Sequence, residues 1–287
     1  MKLKSVQVTN FKSIEDSGVF SIDEITCLVG KNESGKSNLL QALYKLNPYE
    51  ADKGKFDKDE DYPRRHLSEY AERHPEEDAV VITTKWELSE DDAKVVTDTF
   101  GPGALKSREV TISKGYDNEL SWSFDLDEAA IVAYLVESAT ELHKLDREKA
   151  LKSESFIGLK KDLKDLAAEA NERQTAFLAA LEKIGKGSTD YVLAARFITK
   201  LPKFILFSAY DKMLGRVSLQ DLKRRVAEKK LERDHEVFMS FMQLAGVSIE
   251  DVELKQFEPF RARLEAASNR ITKILFKYWR QNKHLRV

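Results

Sequence analysis

The 287-residue chain reads as an α/β fold with its strands early and its helices late. Three observations predict it. β-rich apolar runs recur through the first 126 residues. A Gly-x-x-x-x-Gly-Lys-Ser string at 30–37 stands between one of those runs and an amphipathic pattern. From Asp127 to about Lys183 the composition turns to Ala, Leu, Glu and Lys and contains no proline.

In chain order, residues 3–8 and 19–22 read as short strands, and Ile25-Thr26-Cys27-Leu28-Val29 as a buried strand ending at Gly30. Leu39, Leu40, Leu43 and Tyr44 share one face of a helix over 37–46, which Pro48 stops. The acidic stretch 49–78 reads as loop with a short helix near 64–73. Strands follow at 79–88, 109–113 and 120–126, with a helix near 91–99 between the first two and turns at Gly101-Pro102-Gly103 and Lys114–Asn118. Leu159, Leu163, Leu166, Ala170, Phe177, Leu181 and Ile184 repeat near a 3.5–3.6 period. That suits two helices folded back on each other or one arm of a coiled coil. A helix at 189–199, an apolar strand Phe204–Phe207 and helices over 218–245 and 259–283 complete the reading. The organisation is therefore a strand-rich lobe over 1–126, a helical arm over 127–200, and a strand with helices over 201–287.

Composition removes several functions. Charged residues make up 33% of the chain, a high share that fits long solvated helices. The single cysteine, Cys27, excludes an intrachain disulfide and a cysteine-based zinc site. The opening MKLKSVQVTNFKS has no apolar core of a signal peptide, and no apolar run is long enough to span a membrane. The expectation is a soluble cytoplasmic protein. Residues 1–194 carry 27 basic and 38 acidic side chains, whereas 195–287 carry 20 and 11. Such asymmetry marks a nucleic-acid surface or two lobes that attract each other.

Gly30-Lys31-Asn32-Glu33-Ser34-Gly35-Lys36-Ser37 matches the phosphate-binding loop pattern G-x-x-x-x-G-K-[ST] in full. The glycines let the backbone curl so that amides point inward at phosphate oxygens. The helix that follows adds the positive end of its dipole. Lys36 is placed to meet the β- and γ-phosphates as a point charge, and the Ser37 hydroxyl to bind Mg²⁺. ATP with Mg²⁺ is the ligand this predicts, held by residues 30–37 and Asn38.

Val8-Thr9-Asn10-Phe11-Lys12-Ser13-Ile14, followed by Leu28 to Ser37 and Asn38-Leu39-Leu40-Gln41-Ala42-Leu43, resembles the opening of ABC/SMC-type ATPases. Within them it is closest to the branch of RecF-like recombination ATPases and overcoming-lysogenization-defect (OLD) nucleases. Phe204 to Met213 resembles the segment after their helical insertion. The resemblance implies a P-loop lobe with antiparallel strands and a long, coiled-coil-like helical insertion. It also implies a Walker B strand ending in Asp-Glu, a Leu-Ser-Gly-Gly-like signature and a switch histidine. No run of four apolar residues here precedes Asp-Glu, and no Ser-Gly-Gly occurs. None of His66, His74, His143, His235 and His284 follows a strand in the required way. In the family those parts lie beyond the insertion. The expectation is an N-terminal half of an ATPase domain, incomplete at its C-terminus, paired with a second copy or a partner chain and acting in DNA repair or antiphage defence. A C-terminal Toprim nuclease domain of the OLD kind would also lie outside this chain.

Weaker signals have plain alternatives. Phe11 and Lys12 sit where the family approaches the nucleotide, yet Phe11 reads first as a core residue and Lys12 equally as a solvated surface charge. Asp61-Tyr62-Pro63-Arg64-Arg65 reads as a solvated turn. Arg270, Lys273, Lys277, Arg280 and Lys283 form a basic stripe that fits DNA phosphates, or the outer face of any charged helix. His235 has Glu232 and Asp234 nearby but no second histidine in reach, so it is read as no metal site. Two other functions stay open: a non-catalytic P-loop relic that binds DNA or a partner, and a small P-loop kinase or GTPase. Against the last, two strands precede the loop and no Asn-Lys-x-Asp occurs.

Overall fold

The structure, a computed structural model, describes residues 1–140, 142–165, 172–207, 217–228, 230–246, 248–249 and 257–278. The chain divides into two compact units, Met1–Phe204 and Ile205–Val287.

The first unit is built on one antiparallel sheet. Its strands are β1 (Lys2–Phe11), β2 (Ile14–Asp16), β3 (Phe20–Ser21), β4 (Val80–Glu87), β5 (Leu105–Gly115) and β6 (Leu120–Leu126), in the order β2-β1-β4-β5-β6 with β3 also pairing β1. Strand alternation puts one set of side chains inward. The register aligns Val8, Ile82, Lys114 and Leu120 in one row across the sheet. Val6, Thr84, Ile112 and Trp122 form the next, and Trp86, Val110 and Phe124 the third. Thr84 is the polar member of an apolar row, and it is satisfied. Its hydroxyl donates to the Ile112 carbonyl at 2.8 Å and accepts from Trp86 Nε1 at 2.8 Å. That leaves the indole of the fully buried Trp86 with its donor paired.

Helices close over this sheet. α1 (Lys36–Leu46) buries Ala42 and Leu46 and packs on β1 and β4. Two short turns, α2 (Lys58–Asp61) and α3 (Tyr70–Arg73), lie in the stretch 49–78. α4 (Glu90–Phe100) begins at a reciprocal cap between Ser89 and Asp92 and ends at Gly101. Then come α5 (Glu128–Ser138), α6 (Lys144–Ala150), α7 (Phe156–Asp165), α8 (Glu172–Ile184) and α9 (Thr189–Phe197). Leu135, Phe156, Leu159, Leu163, Phe177, Leu181, Leu193 and Phe197 belong to the same continuous core as the sheet residues. The region read as an arm is thus several short helices sharing the core of the strand lobe. α7 and α8 contact each other, and α9 lies against β6.

The second unit contains α10 (Leu219–Ala227), α11 (Arg233–Ala245) and α12 (Phe257–Tyr278). Its apolar centre holds Leu222, Met242 and Ile249, with Phe238 and Met239 against them. Ser208–Met213, Arg280 and Lys283 lie outside the described residues.

Two expected strands do not form. Ile25–Val29 is not a buried strand: Ile25 is 71% exposed and Val29 90%. β1 pairs with β4 on one side and with β2 and β3 on the other, and none of the sheet's strands pairs with 25–29 among the described residues. An apolar, β-branched run becomes a strand only where a neighbour takes its backbone hydrogen bonds. Phe204–Phe207 likewise shrinks to one parallel bridge, Phe204 with Pro48. The Phe204 amide donates to the Asn47 carbonyl and the Tyr49 amide to the Phe204 carbonyl, both at 2.9 Å.

Candidate nucleotide-binding site

The sequence places two glycines and a lysine around a curl, and the backbone follows. Glu33 and Gly35 both have positive φ, 65° and 90°. Gly35 is the N-cap of α1 in the left-handed region, which glycine enters without steric cost. A Cβ on Gly30 would come within 2.9 Å of the Ser34 hydroxyl, so the loop closes tightly at that point as well. The Ser34 amide donates to the Lys31 carbonyl at 3.3 Å.

The loop wraps the Lys36 ammonium. Lys36 Nζ donates to the Gly30 carbonyl at 2.8 Å and to the Lys31 carbonyl at 2.5 Å, with Ser34 Oγ at 3.3 Å. A positive charge therefore sits at the centre of the curl. The first turn of α1 adds to it. The Leu39 amide finds the Gly35 carbonyl at 3.0 Å, so the amides ahead of it have no acceptor within the helix. No side chain caps them, and the first turn carries no acidic residue. By contrast, α4, α5, α9 and α10 are each capped by a Ser or Asp side chain. The open amides and the ammonium together favour an anion.

Residues 30–34 and Ser37 are exposed, whereas Gly35, Lys36 and Asn38 are half-buried. The nine residues read from the sequence are contiguous, so the fold had only to shape them. What sequence reading missed is the support beneath. Asn38 Nδ2 donates to Ser13 Oγ at 2.9 Å, and Gly35 packs on Ile14. Lys12 Nζ donates to Gln41 Oε1 at 2.7 Å. The tight turn between β1 and β2, where Lys12 has positive φ as does Asn10 near the end of β1, therefore braces the first turns of α1. A non-glycine pair at φ near 50° was the one available signal, and only coordinates reveal it.

Two readings of side chains change. Asp61 and Tyr62 do not lie in a solvated turn, being 3% and 1% exposed. Asp61 Oδ2 accepts from Lys45 Nζ at 2.5 Å and from the Asp57 amide, while the Lys12 amide donates to the Asp61 carbonyl at 2.5 Å. Burial follows because Asp61 meets the α1 cation, and Tyr62 joins a ring cluster with Tyr70, His74 and Tyr116. Phe11 is fully buried edge-on to Phe56 at 5.6 Å, which makes it core.

The far end of α1 is held by a second lysine. Lys114 Nζ, buried in the sheet row, donates to the Lys45 carbonyl at 3.0 Å and the Gly54 carbonyl at 2.7 Å. A cation at the carbonyl end of a helix complements its dipole. Burial, and after it the Lys45 charge, push the Lys114 ammonium down to about 8.

A family model described as AAA ATPase domain matches residues 1–278. The chain belongs to that family. The match runs from β1 through α12, so the short helices and the second unit are part of what defines this AAA ATPase domain. No curated protein matches it. Family membership makes nucleotide the ligand class of the domain. No helix among the described residues is long and apolar enough to cross a membrane.

Proposed function

We propose that this AAA ATPase domain binds ATP–Mg²⁺ at Gly30, Lys31, Asn32, Glu33, Ser34, Gly35, Lys36, Ser37 and Asn38. The observation that carries the reading is the convergence of the Lys36 ammonium and the uncapped first turn of α1 on one curl. Lys36 leaves the Gly30 and Lys31 carbonyls for the β/γ-phosphates, where the charge does more work. The exposed Ser37 hydroxyl is a metal ligand, with phosphate oxygens and water filling the octahedron.

Cleavage requires an acid to orient water and a charge to meet the γ-phosphate. No hydrogen bond or ion pair among the described residues brings an acid or a further cation from elsewhere to the loop, so the reading includes binding without appreciable turnover by this chain alone. A second copy or partner chain supplies those groups, in the manner of an ABC/SMC-like, RecF- or OLD-type machine working on DNA in repair or antiphage defence. The exposed, unpaired segment 25–29 supports this: a strand from outside the described residues would satisfy its backbone and cover Val29. Calorimetric titration of ATP with Mg²⁺ tests the first step. Micromolar binding that Lys36→Ala weakens at least about tenfold supports it, and equal affinity in the variant overturns it. Phosphate release by the chain alone, lost in Lys36→Ala, would refute the need for added groups.

A second reading, DNA binding without nucleotide, rests on the exposed Arg270 and Lys273 of α12. It predicts salt-sensitive gel shifts that ATP–Mg²⁺ leaves unchanged.

A further inference from the structure

The start of α11 gathers three metal-ligating side chains that the nucleotide chemistry leaves unused. Glu232, Asp234 and His235 bring one ligand atom each to within 4.8 Å of one another. The imidazole decides the matter. His235 is 7% exposed, and its Nδ1 is fully buried with no hydrogen-bond partner among the described residues. Burying such a group unpaired costs about 1–3 kcal/mol, so a buried ring nitrogen of this kind needs a reason.

That nitrogen lies 2.9 Å from Asp234 Oδ1, an ion pair only when the ring is protonated, and the two do not meet in hydrogen-bond geometry. The same carboxylate oxygen already accepts from the His235 amide at 2.8 Å, which fixes its position. Two ligand atoms on an octahedral cation, with bonds of about 2.1 Å, stand about 3.0 Å apart at a right angle. The Asp234–His235 pair has that spacing. Glu232 is the N-cap of α11, but its side chain caps nothing. Its carboxylate is largely exposed and accepts from Arg225 Nη1 at 2.9 Å through Oε1. Its ligand atom already stands within 4.8 Å of the other two, and Arg225, if released, keeps Asp221, which it binds at 2.7 Å.

We propose that Glu232, Asp234 and His235 form a site for a divalent first-row transition cation at the first turn of α11. One imidazole nitrogen and two carboxylates make a mixed N/O set, which suits Zn²⁺, Mn²⁺ or Co²⁺ over Ca²⁺ or Mg²⁺. Three protein ligands leave positions for water. The bound cation ties the N-cap of α11 to its first turn, where a side-chain cap is missing.

The test is calorimetric titration of the full chain with Zn²⁺ and with Co²⁺, without nucleotide, for the wild type and for Asp234→Asn, Glu232→Gln, His235→Ala and Cys27→Ser. The site predicts one equivalent of Zn²⁺ bound in the wild type. Asp234→Asn and His235→Ala should weaken it by roughly tenfold or more, and Glu232→Gln by less. Cys27→Ser, which removes the exposed thiol, should leave it unchanged. Circular dichroism checks that each variant is folded. Because Glu232 and Asp234 reach solvent, their variants answer the question even if His235→Ala does not fold. Zn²⁺ binding of equal affinity in Asp234→Asn and Glu232→Gln, or no binding to the wild type at millimolar Zn²⁺, overturns the proposal.

Discussion

Asn38 in the first turn of α1 donates its side-chain amide to the hydroxyl of Ser13, 2.9 Å away in the turn between β1 and β2. Through that bond the edge of the sheet fixes the direction in which the open amides of the loop point. Ser13→Ala should therefore lower ATP affinity several-fold while costing the fold only about 1 kcal/mol, the usual worth of one hydrogen bond. Titration calorimetry alongside thermal unfolding measures both. A loss of stability with unchanged affinity would count against the link.

Gly35 has φ +90°, and a Cβ there would sit 3.3 Å from Ile14. Gly35→Ala should cost about 1–2 kcal/mol of backbone strain and misdirect the first amides of α1, with a marked fall in ATP affinity. Gly18→Ala is the control. It carries similar strain, at φ +64°, in open space remote in sequence from the loop, and affinity should hold.

Asp61 is the buried counter-charge of Lys45, which also lies over the Phe11 and Phe56 rings. Removing one partner of such a pair strands the other. Asp61→Ala should destabilise the first unit by about 3 kcal/mol, read as a fall in the denaturant midpoint. A double variant, Asp61→Ala with Lys45→Met, should recover much of that loss. Failure of the second change to recover stability would mean that Asp61 acts through its bond to the Asp57 amide instead.

Lys114 gives the domain a pH dependence of defined sign. Its ammonium loses its proton near 8 in the folded chain but near 10.5 when unfolded. Between those values the unfolded chain holds more protons, so stability rises with pH through this window, by at most about 1.4 kcal/mol per unit. Below 8 the lysine is charged in both states, and the full penalty of burying it persists. Lys114→Met should flatten the rise. Chemical denaturation at pH 7.5, 8.5 and 9.5 reads it, and an unchanged slope in the variant would assign the effect elsewhere.

The sequence by itself determined the contiguous part of this protein. Gly30, Gly35, Lys36 and Ser37 sit close together in the chain, so their spacing carried the curl, and β6 and α4 emerged close to the expected 120–126 and 91–99. Tertiary structure decided what depends on a neighbour. Ile25–Val29 has strand-forming side chains, but no strand among the described residues pairs with it, so the run stays exposed. Asp61 looked like a surface acid until Lys45 arrived beside it from α1. Hydrogen bonds between strands and the pairing of buried charges join residues far apart in the chain, and no local pattern encodes which partner will come.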